Sequence, residues 1–322
     1  MSTLYYSHPD FLEHDTGPGH PESAARLRVI EKALDNDSFQ SLQRLIPPIP
    51  IDIETKLALI HSPAMIARVL EGMPKQGLSY FDADTVASSG SKQAALRAVG
   101  AVCDAVDRIC TDQANNAFCA VRPPGHHAMP GYPMGFCLFN NIAIGAEYAL
   151  RQYELERIAI VDFDVHHGNG TQAAFYAQPQ VLYASSHQWP HYPGSGDTSE
   201  TGVGNIINLP LAAGTNGEVF RSKYREIILP AVKKFNPQLI FLSAGFDAHK
   251  DDPLASLQLV EDDFRWLTDQ LIQIADTCCS GRIISSLEGG YALKALAASV
   301  AAHVSGLLKI DANINSGYSS TT

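Results

Sequence analysis

Two acids and two histidines fall within six residues in "VDFDVHHGNG" (161–170): Asp162, Asp164, His166 and His167. They follow the apolar run "RIAIV", and glycines come after them. A strand end that only filled a core would have no use for four ionisable groups. Asp164 and His166 are two residues apart, so in an extended segment they face the same way. Asp247, in "GFDAHKDDP", comes off another apolar run. Two carboxylates and one imidazole supply three ligands for a divalent ion. A fourth position is left for water or substrate, which is the open arrangement of a catalytic metal site.

A second pair of histidines, His126 and His127, stands in "RPPGHH". Two prolines fix the approach, and Gly125 permits a tight turn. Adjacent imidazoles beside a metal-bound water can carry protons if each has an acceptor on its other nitrogen to set its tautomer. Asp162 and Asn169 are the polar residues left over beside the expected ligands, and they suit that task. The glycine-rich "PGYPMGFC" that follows brings backbone and Phe136 close, as a pocket wall would.

These groups need a scaffold that delivers them to one place. Apolar runs at 4–7, 117–122, 157–163, 181–186, 206–211, 238–246 and 282–290 read as buried strands. Segments of helical period lie between many of them. Ala95, Val99, Val102, Val106 and Ile109 form one helical face, and Leu293, Leu296, Val300, Val304 and Leu307 form another. Strands apolar on both faces fit a parallel sheet covered by helices, an α/β three-layer αβα architecture. Ligands of open parallel sheets bind beyond the carboxyl ends of the strands. Polar clusters follow the runs at 117–122, 157–161, 238–244 and 282–287, so four strand ends point to one site. Neither a repeat nor a linker divides the chain. One domain over 1–310 with a polar tail at 311–322 is expected.

Composition narrows the function classes. The chain has 322 residues, 45% hydrophobic and 18% charged, with a formal net charge of −11 and no basic run. That disfavours direct grip on nucleic acid. The six cysteines form no C-x-x-C pair, which fits a reduced cytoplasmic protein. The first residues carry no signal-peptide pattern, and no run is long and apolar enough to span a membrane.

"RPPGHHA", "GFCLFNN", "DFDVHHGNGTQ", "SAGFDAHKDDPL" and "LEGGY" resemble, in order, the motifs of the histone deacetylase superfamily, within the arginase–deacetylase fold. The likeness runs from "GPGHPES" (17–23) to the last helix, and "HHGNGTQ" is most similar to class II and its bacterial relatives. The resemblance implies a zinc-dependent amide hydrolase that removes acetyl or other acyl groups from lysine side chains or small amines. Asp164, His166 and Asp247 match the ligands of one Zn2+, which Fe2+ or Co2+ would also fit. His126 and His127 match the tandem catalytic histidines, with Asp162 and Asn169 as their respective acceptors. Class I members carry Asp where Asn169 stands. Tyr291 matches the tyrosine that polarises the amide carbonyl. Phe136 and Tyr192 match the tunnel walls, the latter usually Phe, and Gly135 offers a backbone carbonyl. Main-chain oxygens of Asp162, Asp164 and His166, with Ser185 and Ser186, match a structural K+ site. Asp84 matches a rim acid that grips the substrate backbone.

Three rivals are weighed. Acetylpolyamine deacetylases on this scaffold often carry glutamate after "DP"; Leu254 stands there and favours a singly charged amide. A non-catalytic acyl-lysine binder would have lost a ligand or the tyrosine, and neither is lost. An arginase-like two-manganese hydrolase would want a further carboxylate near Asp247, where His249 stands. Oligomeric state and acyl chain length are left open.

Overall fold

The computed structural model describes residues 2–309. The tail expected at 311–322, like the boundary at 310, lies outside them. Ten strands are present among the described residues: β1 (Thr3–Tyr6), β2 (Gln43–Leu45), β3 (Leu78–Tyr80), β4 (Val86–Ser88), β5 (Asn116–Cys119), β6 (Ile158–Asp162), β7 (Val181–Gln188), β8 (Ile206–Leu211), β9 (Leu239–Ala244) and β10 (Ile283–Leu287). The helices are α1 (Ala25–Leu34), α2 (Ile53–Leu57), α3 (Pro63–Glu71), α4 (Ser91–Cys110), α5 (Asn141–Gln152), α6 (Asn169–Phe175), α7 (Gly217–Lys223), α8 (Leu229–Phe235), α9 (Glu261–Cys278) and α10 (Leu293–Leu307).

Eight strands form one parallel sheet in the order β2-β1-β5-β10-β9-β6-β7-β8. All seven strands read from the sequence are in it. Those read as apolar on both faces are buried along their length in β1, β5, β6, β7, β9 and β10, as strands covered by helices must be. Helices α1, α10, α9 and α8 pack in succession, and α4 packs on α5. This is the three-layer arginase–deacetylase architecture. Its main apolar core runs from Leu4 to Leu307 in sequence.

Strand register assembles the site. Cys119, Ser286, Ser243, Asp162 and Ser185 lie side by side across β5, β10, β9, β6 and β7. The four strands that carry polar clusters are therefore contiguous and end level. The loops that leave these strands are brought together at the carboxyl end of the sheet.

Some expectations need correction. The runs at 117–122, 157–163, 238–246 and 282–290 leave the ladder before their last residues, because those residues turn into the site. Asp164 and His166 lie in a bend after β6 rather than in an extended segment. On α10, Leu293 is 38% exposed and stands off the buried face that Leu296, Val300, Val304 and Leu307 share. The five-residue face of α4 is buried throughout. The edge strand β2 and the hairpin β3–β4 were not foreseen, since three residues are too few to show a period. Among the described residues no helix is long and apolar enough to cross a membrane.

Candidate active site

The bend after β6 and the turn after β9 bring Asp164, His166 and Asp247 together. One ligand atom from each lies within 4.8 Å of the others, and all three residues are buried. His166 Nδ1 is 3.0 Å from Asp164 Oδ1 and 3.2 Å from Asp247 Oδ2. Asp164 is tied down by its neighbours: Gly289 N–H donates to its Oδ2 (2.8 Å), and His166 N–H to its Oδ1 (2.9 Å). Asp247 Oδ1 accepts from Val165 N–H (2.8 Å), but its Oδ2 is buried and accepts no hydrogen bond. Burial, and then the charge of Asp164, pushes Asp247 up to about 7. Two buried carboxylates sharing one imidazole, with an oxygen left over, fit a divalent cation. A Cβ on Gly289 would collide with both carboxylates, so glycine is required for the chain to pass.

The tandem histidines stand beside this triad. His126 Nδ1–H donates to Asp162 Oδ2 at 3.0 Å. Asp162 also accepts from Tyr183 OH and from Asp164 N–H. Burial opposes a charge on His126, but Asp162, Asp164 and Glu288 outweigh it and raise its pKa to about 10. His127 Nδ1 lies 2.8 Å from Asn169 Oδ1. Burial, then the neighbouring His126 and His166, hold His127 well below the usual imidazole range. Gly135 has φ +56°, and a Cβ there would sit 2.6 Å from His127 Cδ2. Its backbone lies against that ring.

The remaining expected residues lie beyond the triad and the two histidines. The Tyr291 ring meets Phe136 edge-on (5.9 Å between centroids), and the Arg26 guanidinium lies 5.0 Å from its centre. Burial and the charge of Asp247 push the Tyr291 phenol well up, against the effect of Arg26, so it stays protonated. The Tyr192 ring is edge-on to His127 (5.2 Å) and 39% exposed. Asp84 is half-buried in the turn between β3 and β4. Burial, and then the charge of Asp84, raises the Tyr192 phenol. Leu254 is one imidazole removed from the triad: His191 donates to its carbonyl (3.1 Å) and stacks on His166 (5.1 Å). Ser185 Oγ pairs with His187 Nδ1 (2.9 Å), and Ser186 Oγ with Tyr224 OH (2.7 Å).

Four residues of the site were missed in the sequence. Asp252 Oδ2 accepts from Tyr291 N–H at 2.7 Å and so fixes the backbone of that residue. His20 Nε2 donates to the Asp84 carbonyl (3.1 Å) while its ring meets Phe136 (4.7 Å). Arg26 donates to the Gly290 carbonyl at 2.7 Å and to the Glu288 carbonyl. Glu288 Oε2 accepts from Gly125 N–H (2.7 Å) and His126 N–H (3.1 Å). An acid closing an apolar strand was the available signal for Glu288, as it was for Asp162. The other three are recognisable only by whom they touch.

The histone deacetylase domain model matches residues 20–307, and the chain belongs to the histone deacetylase family. It is similar to a probable deacetylase of Archaeoglobus fulgidus, 38% identical over 300 residues, covering 91% of this chain and 82% of that protein. A histone deacetylase-like amidohydrolase of Pseudomonas aeruginosa is 37% identical over 286 residues, covering 87% and 75%. The crystal structure of the HDA15 HD domain superposes with a TM-score of 0.90 at 33% identity, covering 96% of this chain and 88% of that one.

Proposed function

We propose that the chain, over 1–310, is a zinc-dependent amide hydrolase that releases acetyl or another acyl group from a lysine side chain or a small acylated amine. The observation that carries this reading is the meeting of the Asp164–His166–Asp247 triad with two adjacent histidines, His126 paired to the Asp162 carboxylate and His127 to the Asn169 amide. When bound, the metal would polarise the amide carbonyl and acidify the attacking water; Fe2+ or Co2+ suits the same ligands.

The protein's own groups divide the remaining work. Asn169 Nδ2 donates to the sulfurs of Met129 and Met134 (3.2 Å each), which turns its oxygen toward His127. His127 must then carry its proton on Nδ1, leaving the Nε2 lone pair free. A neutral imidazole with a free nitrogen takes a proton from water and returns it to the departing amine. His126, charged, stabilises the negative charge that develops. The Tyr291 hydroxyl donates to the carbonyl oxygen as it becomes an oxyanion. Phe136 and Tyr192 exclude water along the acyl chain, and Asp84 accepts from the substrate backbone at the rim. Amide and water become a carboxylate and a free amine.

Leu254 supports an acyl-lysine over an acetylated polyamine, since no carboxylate is added there for a second ammonium. A K+ ion beside Asp162, Asp164 and His166 belongs to the same reading. His187 Nε2–H donates to the Gly196 carbonyl (3.0 Å), so Ser185 must donate to His187 Nδ1, and its lone pairs stay open to a cation. All six cysteines are unpaired, which supports a reducing compartment such as the cytoplasm.

The test is a turnover screen of metal-loaded protein against acetyl-lysine peptides, longer acyl-lysines and N8-acetylspermidine. Hydrolysis of an acyl-lysine that chelation abolishes is expected. Fully metal-loaded protein inert to every acyl amide would overturn the reading.

A further inference from the structure

Glu288 is fully buried at the end of β10, yet its carboxylate completes no ion-pair network. The buried Arg26 has its own carboxylate partner in Glu22 (3.1 Å) and touches Glu288 only at its main-chain carbonyl. Oε1 of Glu288 has no partner among the described residues. Every hydrogen bond of the carboxylate therefore goes through Oε2 to two successive amides, Gly125 N–H at 2.7 Å and His126 N–H at 3.1 Å. Burying a carboxylate is expensive, and leucine would fill the volume without that cost. Adjacent N–H groups converging on one anion form a rigid seat.

The seat has a back wall. A Cβ on Gly125 would lie 2.6 Å from Asn141 N and 3.0 Å from the Phe139 carbonyl. On the far side the His126 carbonyl accepts from Thr171 N–H at 3.1 Å. The peptide that carries both histidines is thus gripped at its N–H by Glu288 and at its C=O by α6. Glu288 is itself anchored, its N–H donating to the Ala244 carbonyl (3.0 Å), and its neighbour Gly289 holds Asp164.

We propose that Glu288 is the positioning residue for the tandem histidines, holding the Gly125–His126 backbone so that both imidazoles face the Asp164–His166–Asp247 triad. The proposal rests on the amide-hydrolase reading for its kinetic consequence only. Its structural consequence is independent of that reading.

The experiment compares wild type with Glu288→Leu, Glu288→Ala and Glu288→Gln, each metal-loaded, by kinetics on an acetyl-lysine peptide and by 15N NMR of amides and histidine rings. Glutamine keeps an oxygen acceptor for the two amides; leucine and alanine do not. In the latter two, kcat should fall about 10²-fold, the scale of a misplaced catalytic group, with KM and metal content unchanged. The Gly125 and His126 amides should lose exchange protection, and both histidine ring signals should move. Glu288→Gln should retain the exchange protection of the Gly125 and His126 amides and most of kcat. Unmoved ring signals in Glu288→Leu, or in Glu288→Ala if the leucine variant does not fold, would overturn the proposal. So would a Glu288→Gln variant as impaired as Glu288→Ala. If the wild type hydrolyses no acyl amide, the enzymatic reading falls, and the ring signals alone still decide the role of Glu288.

Discussion

His127 Nδ1 and Asn169 Oδ1 lie 2.8 Å apart, and two methionine sulfurs on the Asn169 amide nitrogen leave its oxygen facing the imidazole. The partner is neutral, so the imidazole is oriented without being charged. Asn169→Leu should lower kcat at least tenfold by freeing the tautomer, within the 10²–10⁴-fold range of general acid–base catalysis. Asn169→Asp should act differently. A new charge favours the imidazolium and raises the His127 pKa, so the acid limb of kcat/KM should move to higher pH. A limb that moves to lower pH, or does not move, would argue against His127 as the base.

Metal content tests the triad directly. Asp247→Ala should release the ion, and elemental analysis of the wild type should find one divalent ion per chain. Two ions per chain, or none in active protein, would contradict the mononuclear site.

Tyr291→Phe keeps the ring between Phe136 and Arg26 and removes only the hydroxyl. Loss of one oxyanion donor typically lowers kcat by about 10²–10³. That fall is expected at full metal content, with KM changed much less. A phenylalanine variant with near-native kcat would take Tyr291 out of the chemistry.

Leu254→Glu should shift kcat/KM toward N8-acetylspermidine and away from acetyl-lysine peptides. The backbone there is already held by Asp252 and His191, so the new carboxylate would be presented on a fixed loop. Unaltered selectivity would mean that this position does not discriminate substrates.

Stability should fall with acid through buried neutral histidines. His303, on α10, is hydrogen-bonded to Thr268 (2.7 Å) and Ser285 (2.9 Å), and burial lowers its pKa to about 3. The unfolded value is roughly 6.5. Between those limits the unfolded chain binds more protons, so stability drops as pH falls through that window. His303→Asn should be less stable than wild type at pH 8, and the gap in Tm should narrow toward pH 4. A gap that widens in acid would contradict a neutral His303 in the core.

The three candidate ligands, the paired histidines and the strands that deliver them could be read because each is a local pattern. Asp164 and His166 are two residues apart, Asp247 and Tyr291 follow their own apolar runs, and seven strands long enough to show themselves were read. Short elements such as β2 and the β3–β4 hairpin were not, since a few residues carry no period. No local pattern contains register. Only the folded sheet sets Cys119, Ser286, Ser243 and Asp162 in one row, and so decides which strand ends share a site. Contacts across that row obey the same rule. Glu288 grips the amides of Gly125 and His126 from more than 160 residues away in sequence. Asp252 holds Tyr291 across 39 residues, and His20 holds the turn of Asp84 across 64. Residue types announce what chemistry is available. Which acid orients which imidazole depends on hydrogen bonds a few ångströms long, and only packing brings those groups that close.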